Sequence, residues 1–92
     1  MKVKNKAAAL KYDLAKDNEA PRLIAVGEGY LADKIIEVAK QENIPLVKNI
    51  EVVNKLIHLP VGQEIPPELY EAIARIIIFI YKLDQEYTQN YP

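Results

Sequence analysis

From Ile65-Pro66-Pro67-Glu68-Leu69-Tyr70 the chain runs on to Leu83 in one unbroken pattern, and the rest of the fold has to be built against this stretch. Pro67 suits the first turn of a helix, where a missing N–H costs nothing. Glu68 follows where a negative charge faces the positive helix end. Leu69, Ala72, Ile73, Ile76, Ile80 and Leu83 recur at helical spacing and share one face, while Glu71, Arg75 and Lys82 share the other. So apolar a stripe must be buried, at roughly 1.5–3 kcal/mol for each large aliphatic. Ile78 breaks the pattern by falling among the charges near Glu71 and Lys82. A single exposed apolar residue usually means nothing; the sharper expectation is a contact point for a partner protein.

Ninety-two residues, half of them hydrophobic, allow one domain with one core. A net charge of −1 gives no global field for nucleic acid or an acidic membrane. The absence of cysteine excludes disulfides and thiol catalysis and fits a reducing compartment. The longest apolar run, Ile76–Tyr81, is far too short to span a bilayer. Ala7–Leu10 is too short for a signal-peptide apolar region. The expectation is a soluble, intracellular chain without membrane insertion.

In chain order, residues 1–6 form a basic arm with lysines at alternate positions. Ala7–Tyr12 alternates as a strand does, although alanine is a poor strand former. Leu14–Pro21 reads as a charged loop. Arg22–Val26, apolar without alternation and bounded by Pro21 and Gly27, suits a strand covered on both faces and placed centrally. Gly27-Glu28-Gly29 reads as a turn into an amphipathic helix over Tyr30–Glu42, with Leu31, Ala32, Ile35, Ile36 and Ala39 inward and Asn43 as a left-handed stop. Ile44-Pro45-Leu46-Val47 reads as a third strand, completing a right-handed strand–helix–strand crossover. Asn49 caps a short helix over Ile50–Leu59 with Val53, Leu56 and Ile57 inward. The expected architecture is α/β: a small three-stranded mixed sheet, made of a hairpin plus the crossover, packed with three helices. Residues 7–84 form the single domain and 85–92 a polar, fraying tail.

No catalytic set emerges. Gly27-Glu28-Gly29-Tyr30-Leu31-Ala32 stands between a strand and a helix, the context of a phosphate-binding glycine turn. Three features oppose a small nucleotide- or phosphate-binding domain, which is kept as the alternative. Glu28 puts a carboxylate where an anion would sit, the next strand ends in Val47-Lys48-Asn49 without a ribose-binding acid, and the further strands of a dinucleotide domain are missing. His58 is the only histidine, expected in the last turn of its helix against free carbonyls, with no second ligand for a metal. Asp13, Asp17 and Glu19 match no calcium-loop spacing. There is no serine, and Thr88 is the only threonine. Basic residues do not interleave with aromatics, so no nucleic acid is expected. Surface binding without a cofactor or metal is what remains.

Four pieces in order carry a likeness: Ala7-Ala8-Ala9-Leu10-Lys11-Tyr12-Asp13, Ala20-Pro21-Arg22-Leu23-Ile24-Ala25-Val26-Gly27, Ile44-Pro45-Leu46-Val47 and Gly62-Gln63-Glu64-Ile65-Pro66-Pro67-Glu68-Leu69-Tyr70. Together they resemble the cytoplasmic domain of the FlhB/YscU family of type III export-gate proteins, from Ala7 to Leu83. The family's self-cleaving Asn-Pro-Thr-His motif would fall on Lys2, Val3, Lys4 and Asn5, none of which matches. The resemblance therefore implies a stand-alone, non-cleaving relative, lacking the membrane part and the strand before the cleavage loop. It implies an accessory of the flagellar export apparatus, not an enzyme, cytoplasmic or peripheral to the gate at the inner membrane. Its expected partners are gate components, export substrates, or the membrane-anchored portion of full-length FlhB. Loss of a strand would bare an edge at Ala7–Tyr12, so the expected partner-binding residues are Ala8, Leu10 and Tyr12, with Glu71, Arg75 and Ile78 on the last helix.

Overall fold

A computed structural model describes residues 5–12 and 20–89, with side chains to residue 82. Strand β1 (Lys6–Lys11) pairs antiparallel with β2 (Arg22–Glu28). Helix α1 (Tyr30–Gln41) follows, then the short α2 (Ile50–Leu56), a 3-10 turn over Pro67–Leu69, and α3 (Tyr70–Gln89).

The alanines of β1 are explained by what lies on each face of the hairpin. Successive strand side chains point to opposite faces, and the register pairs Ala7 with Gly27 and Ala9 with Ala25. These small residues form the face on which α1 packs, through its own buried Ala32 and Ala39. Ala8, Leu10, Leu23 and Val26 form the opposite face. They join the main core of Val52, Leu56, Ile65, Leu69 and Ile73. One face thus admits a helix at close range, and the other supplies bulk.

As far as Ile80 the long apolar stripe is buried as its spacing predicts, and the Leu83 side chain lies outside the described residues. Leu69 and Ile73 are buried, and Ala72, Ile76 and Ile80 are half-buried. Glu71, Arg75 and Ile78 are exposed on the far side. The helix opens as a 3-10 turn at Pro67 before becoming α3, and α3 continues to Gln89 through the polar residues after Leu83.

The expected third strand is a correction. Residues 44–49 carry no strand, and the described sheet has two strands, so the right-handed crossover does not form. Ile44 N–H donates to Ala39 O at 2.8 Å, closing α1 past Asn43, whose φ of 57° makes it the left-handed stop. Among the described residues, the backbone of residues 45–48 bonds to neither strand. A strand exists only where a ladder neighbour accepts its hydrogen bonds, and none of the described residues does so here. Its apolar side chains Ile44, Leu46 and Val47 remain exposed in consequence.

Smaller corrections have local causes. β2 is covered on both faces, by α1 and by the main core, but in a two-stranded sheet it is not central. Its register shifts between Ala9 and Leu10, so Ile24 is the unpaired bulge residue and is 50% exposed. Gly27 belongs to β2 and is buried, which leaves Gly29 (φ 60°) as the turn. α2 ends at Leu56, three residues early, with Leu59 N–H bonding back to Leu56 O. Its buried side chains are Leu56, expected inward, and Val52, which was not, while Val53 and Ile57 are half-buried. Leu31 is exposed although it was expected inward.

Candidate functional site

The hydrogen-bond phase of the hairpin decides which backbone groups are offered outward. Gly29 N–H donates to Asn5 O at 2.7 Å, so residue 5 is the hydrogen-bonded partner of residue 29. Pairs alternate along an antiparallel ladder. Ala7 and Ala9 therefore bond inward to β2, while Lys6, Ala8 and Leu10 turn their N–H and C=O groups to the outer edge of β1. β2 agrees with this phase. Leu23, opposite Leu10, points away from β1, donating to Gln63 O at 2.9 Å and accepting from Gly62 N–H at 2.7 Å.

The two edges of the hairpin are consequently unlike. Along β2 the segment 62–65 covers Leu23 and Pro21, with Ile65 N–H on Pro21 O, and Arg22 is bridged to Glu64 and ion-paired with it at 3.5 Å; among the described residues the outward groups of Val26 and Glu28 have no backbone partner. Along β1 nothing among the described residues pairs with the outward groups of Lys6, Ala8 and Leu10. The strand's ends carry Lys6, whose Nζ donates to Asn54 Oδ1 at 2.8 Å, and the exposed Lys11. Lysines at the ends of an edge oppose pairing of two such edges with each other. Of the expected edge residues, Ala8 and Leu10 present backbone outward with their side chains in the core, and Tyr12 is exposed just beyond the strand.

The other expected set lies on α3, away from this edge. Glu71 and Arg75 are one turn apart, and Arg75 Nη2 donates to Glu71 Oε1 at 2.7 Å in full solvent. A pair so exposed is worth a fraction of a kcal/mol. Ile78, 53% exposed, stands on the same face one turn further on. The structure brings Glu71, Arg75 and Ile78 together, but it does not join them to Ala8, Leu10 and Tyr12 in one patch.

The glycine turn offers little to a phosphate. Gly29 N–H is taken by Asn5 O, Gly27 sits inside the ladder, and the exposed Glu28 lies between them. Asn5 also donates its side-chain amide to Asp33 Oδ1 at 2.7 Å. Of the four positions expected to replace a self-cleaving motif, Asn5 is described, and Lys2, Val3 and Lys4 lie outside the described residues, as do Asp13, Asp17 and Glu19. His58 stands in the turn after α2, exposed, and not in the helix's last turn. Among the described residues no group of three or more acidic or histidine side chains could hold a metal, and no helix is long and apolar enough to cross a membrane.

Sequence reasoning missed one feature. α2 and α3 leave a depression of about 310 Å³ between them, bordered by Val47, Val52, Ile76 and Phe79, with Glu51 and Arg75 beside it. Phe79 is 54% exposed. The signal was the unbroken apolar run from Ile76, too long for one buried stripe.

Comparison with known proteins places this arrangement. A family model described as the FlhB HrpN YscU SpaS family matches residues 4–80. YlqH of Bacillus subtilis is 49% identical over 80 residues, covering 87% of this chain and 85% of YlqH. The flagellar biosynthetic protein FlhB of Aquifex aeolicus is 43% identical over 75 residues, covering 80% of this chain and 21% of that protein. The chain thus spans about a fifth of the FlhB relative. A crystal structure of a mutated EscU C-terminal domain superposes with a TM-score of 0.76 at 27% identity, covering 84% of this chain and 93% of that one.

Proposed function

The chain belongs to the FlhB HrpN YscU SpaS family, and from that premise we propose that it is a non-catalytic interaction module of the flagellar type III export apparatus. It binds by accepting an extended segment of a gate component along the outer edge of β1. The observation that carries this reading is the row of N–H and C=O groups on Lys6, Ala8 and Leu10 that no described residue pairs, beside a β2 edge that segment 62–65 covers as far as Leu23. A bare, regular edge is the template that strand addition uses, with main-chain bonds supplying affinity. The membrane-anchored portion of full-length FlhB is the proposed donor of that segment. Ile78, flanked by the Glu71–Arg75 pair, is a second contact on α3.

The chain does not cut itself in this reading. Support comes from Lys2, Val3, Lys4 and Asn5 at the cleavage positions, and from the engagement of the Asn5 side chain by Asp33. Intact-mass analysis after prolonged incubation is expected to return one species; a fragment pair split near residue 5 would contradict it.

Docking is tested by pull-down against the membrane-anchored portion of FlhB. The unaltered chain is expected to be retained. Ala8→Pro deletes one outward N–H and leaves the inward ladder intact, so retention should be lost while folding persists. Ile78→Asp should weaken retention without loss of stability. If the unaltered chain fails to bind, the reading is wrong.

A further inference from the structure

We propose that the side of α2 carrying Ile50, Val53 and Ile57 selects the segment that adds to the β1 edge. It takes an amphipathic strand, with large apolar side chains at alternate residues in register with Ala8 and Leu10. The assignment rests on the docking reading and gives the incoming strand its chemistry.

Two contacts fix what stands on either side of the edge. Lys6 Nζ donates to Asn54 Oδ1 at 2.8 Å, which holds one side of α2 at the start of β1. The Asn5 side-chain amide donates to Asp33 Oδ1 at 2.7 Å, which holds one side of α1 there. The two contacts leave opposite faces of the chain, since successive strand residues alternate. Ala7 and Ala9 follow Asn5 onto the α1 face. Ala8 and Leu10 follow Lys6 onto the core face, where α2 packs against β1.

The two helix sides differ in chemistry. Residues three and four apart on a helix are neighbours. Ile50 and Ile57 stand four before and three after Asn54, and Val53 stands between them, so the side that meets β1 is largely apolar. Val53 and Ile57 are half-buried. Ile50, 72% exposed, is the most exposed large aliphatic side chain among the described residues. It occupies the first helical position, where neither the core nor helix propensity calls for a β-branched residue. On α1, Glu37 and Lys40 follow Asp33 by four and seven positions, and all three are exposed.

Strand addition turns this difference into a pattern. The residue of an added strand that lies opposite Ala8 shares the face of Ala8. Residues opposite Ala8 and Leu10 are therefore turned to the α2 side, where apolar groups gain by leaving water. Those opposite Ala7 and Ala9 are turned to the side of Asp33, Glu37 and Lys40, where polar groups keep their solvation. Main-chain bonds supply affinity without reading sequence, so selectivity falls to the side chains that flank the edge.

The test measures affinity of the intact chain for the membrane-anchored portion of FlhB. Ile50→Asp and Ile57→Asn should each weaken binding at least fivefold. Ile50→Asp should leave the thermal midpoint within a few degrees, because an acid suits the first turn of a helix. Ile50→Val should bind as the unaltered chain does. Leu31→Asp, exposed on α1 beside Gly27 of β2, should have no effect. A capped peptide of about strand length, alternating valine with threonine between terminal glutamates, should slow amide exchange at Ala8 and Leu10 at about 1 mM. The same composition with its valines contiguous should slow it at least fivefold less. If the FlhB portion does not retain the unaltered chain, the docking reading falls and this assignment with it. If Ala8→Pro abolishes retention but neither Ile50→Asp nor Ile57→Asn weakens it, or if the two peptides act alike, this assignment alone is overturned.

Discussion

A β-carbon built on Gly27 would lie 2.7 Å from the Leu31 β-carbon and 3.0 Å from the Leu31 carbonyl carbon. Backbone cannot yield as a flexible side chain can, so α1 must lift away from the hairpin. Gly27→Ala is expected to lower stability by about 1–3 kcal/mol, the usual range for overpacking, read as a fall in thermal midpoint. At Gly29 the same methyl meets nothing within 4 Å, but the φ of 60° is left-handed. Gly29→Ala should therefore cost about 1–3 kcal/mol, from backbone strain alone. The two glycines act through different physics, and Gly-x-Gly does not say which is which. The sequence read both as turn residues. Strand pairing makes one of them a close-approach position, and pairing is not a local property. Asn49 is the opposite case, since its role is local. Its Oδ1 accepts from Val52 N–H at 3.1 Å, as expected from the residue type ahead of an apolar run.

Among the elements, β1 carries the functional argument, and its alternation can be tested on the free chain. Ala9→Pro removes a donor that bonds inward and should unfold the hairpin, because a ladder hydrogen bond is lost at a position where proline is not accommodated. Ala8→Pro removes an outward donor and should leave the thermal midpoint within a few degrees. Equal losses from the two would show that the phase assigned to β1 is wrong. Helix α1, the capped start of α2 and the buried stripe of α3 were legible because each is set by spacing within a few residues. The strand expected at Ile44–Val47 was not. Its apolar residues and Pro45 do describe an edge strand, but the described residues supply no neighbour to pair with it. Nor was the depression beside Phe79 legible, since it depends on where α2 settles against α3.

Over the whole molecule, the sheet divides two unequal layers. α1 lies on a face of alanine and glycine, and α2 and α3 lie on the face holding the main core. Ile73, 1% exposed, sits at the centre of that core, and Ile73→Ala should cost about 2–5 kcal/mol, the range for large-to-small changes in a packed interior. A loss under about 1 kcal/mol would place the core elsewhere. The family likeness was readable from four pieces in order, even though each was weak alone. The edge was expected from the resemblance and the missing strand it implies, whereas the separation of Ala8 and Leu10 from Glu71, Arg75 and Ile78 is a fact of packing. Amide hydrogen exchange, residue by residue along β1, tests the docking claim most directly. In the free chain Ala7 and Ala9 should exchange slowly and Ala8 and Leu10 quickly. Adding the membrane-anchored portion of FlhB should slow Ala8 and Leu10 at least tenfold and leave Ala7 and Ala9 nearly unchanged. Binding that leaves Ala8 and Leu10 as fast as before would contradict strand addition at this edge.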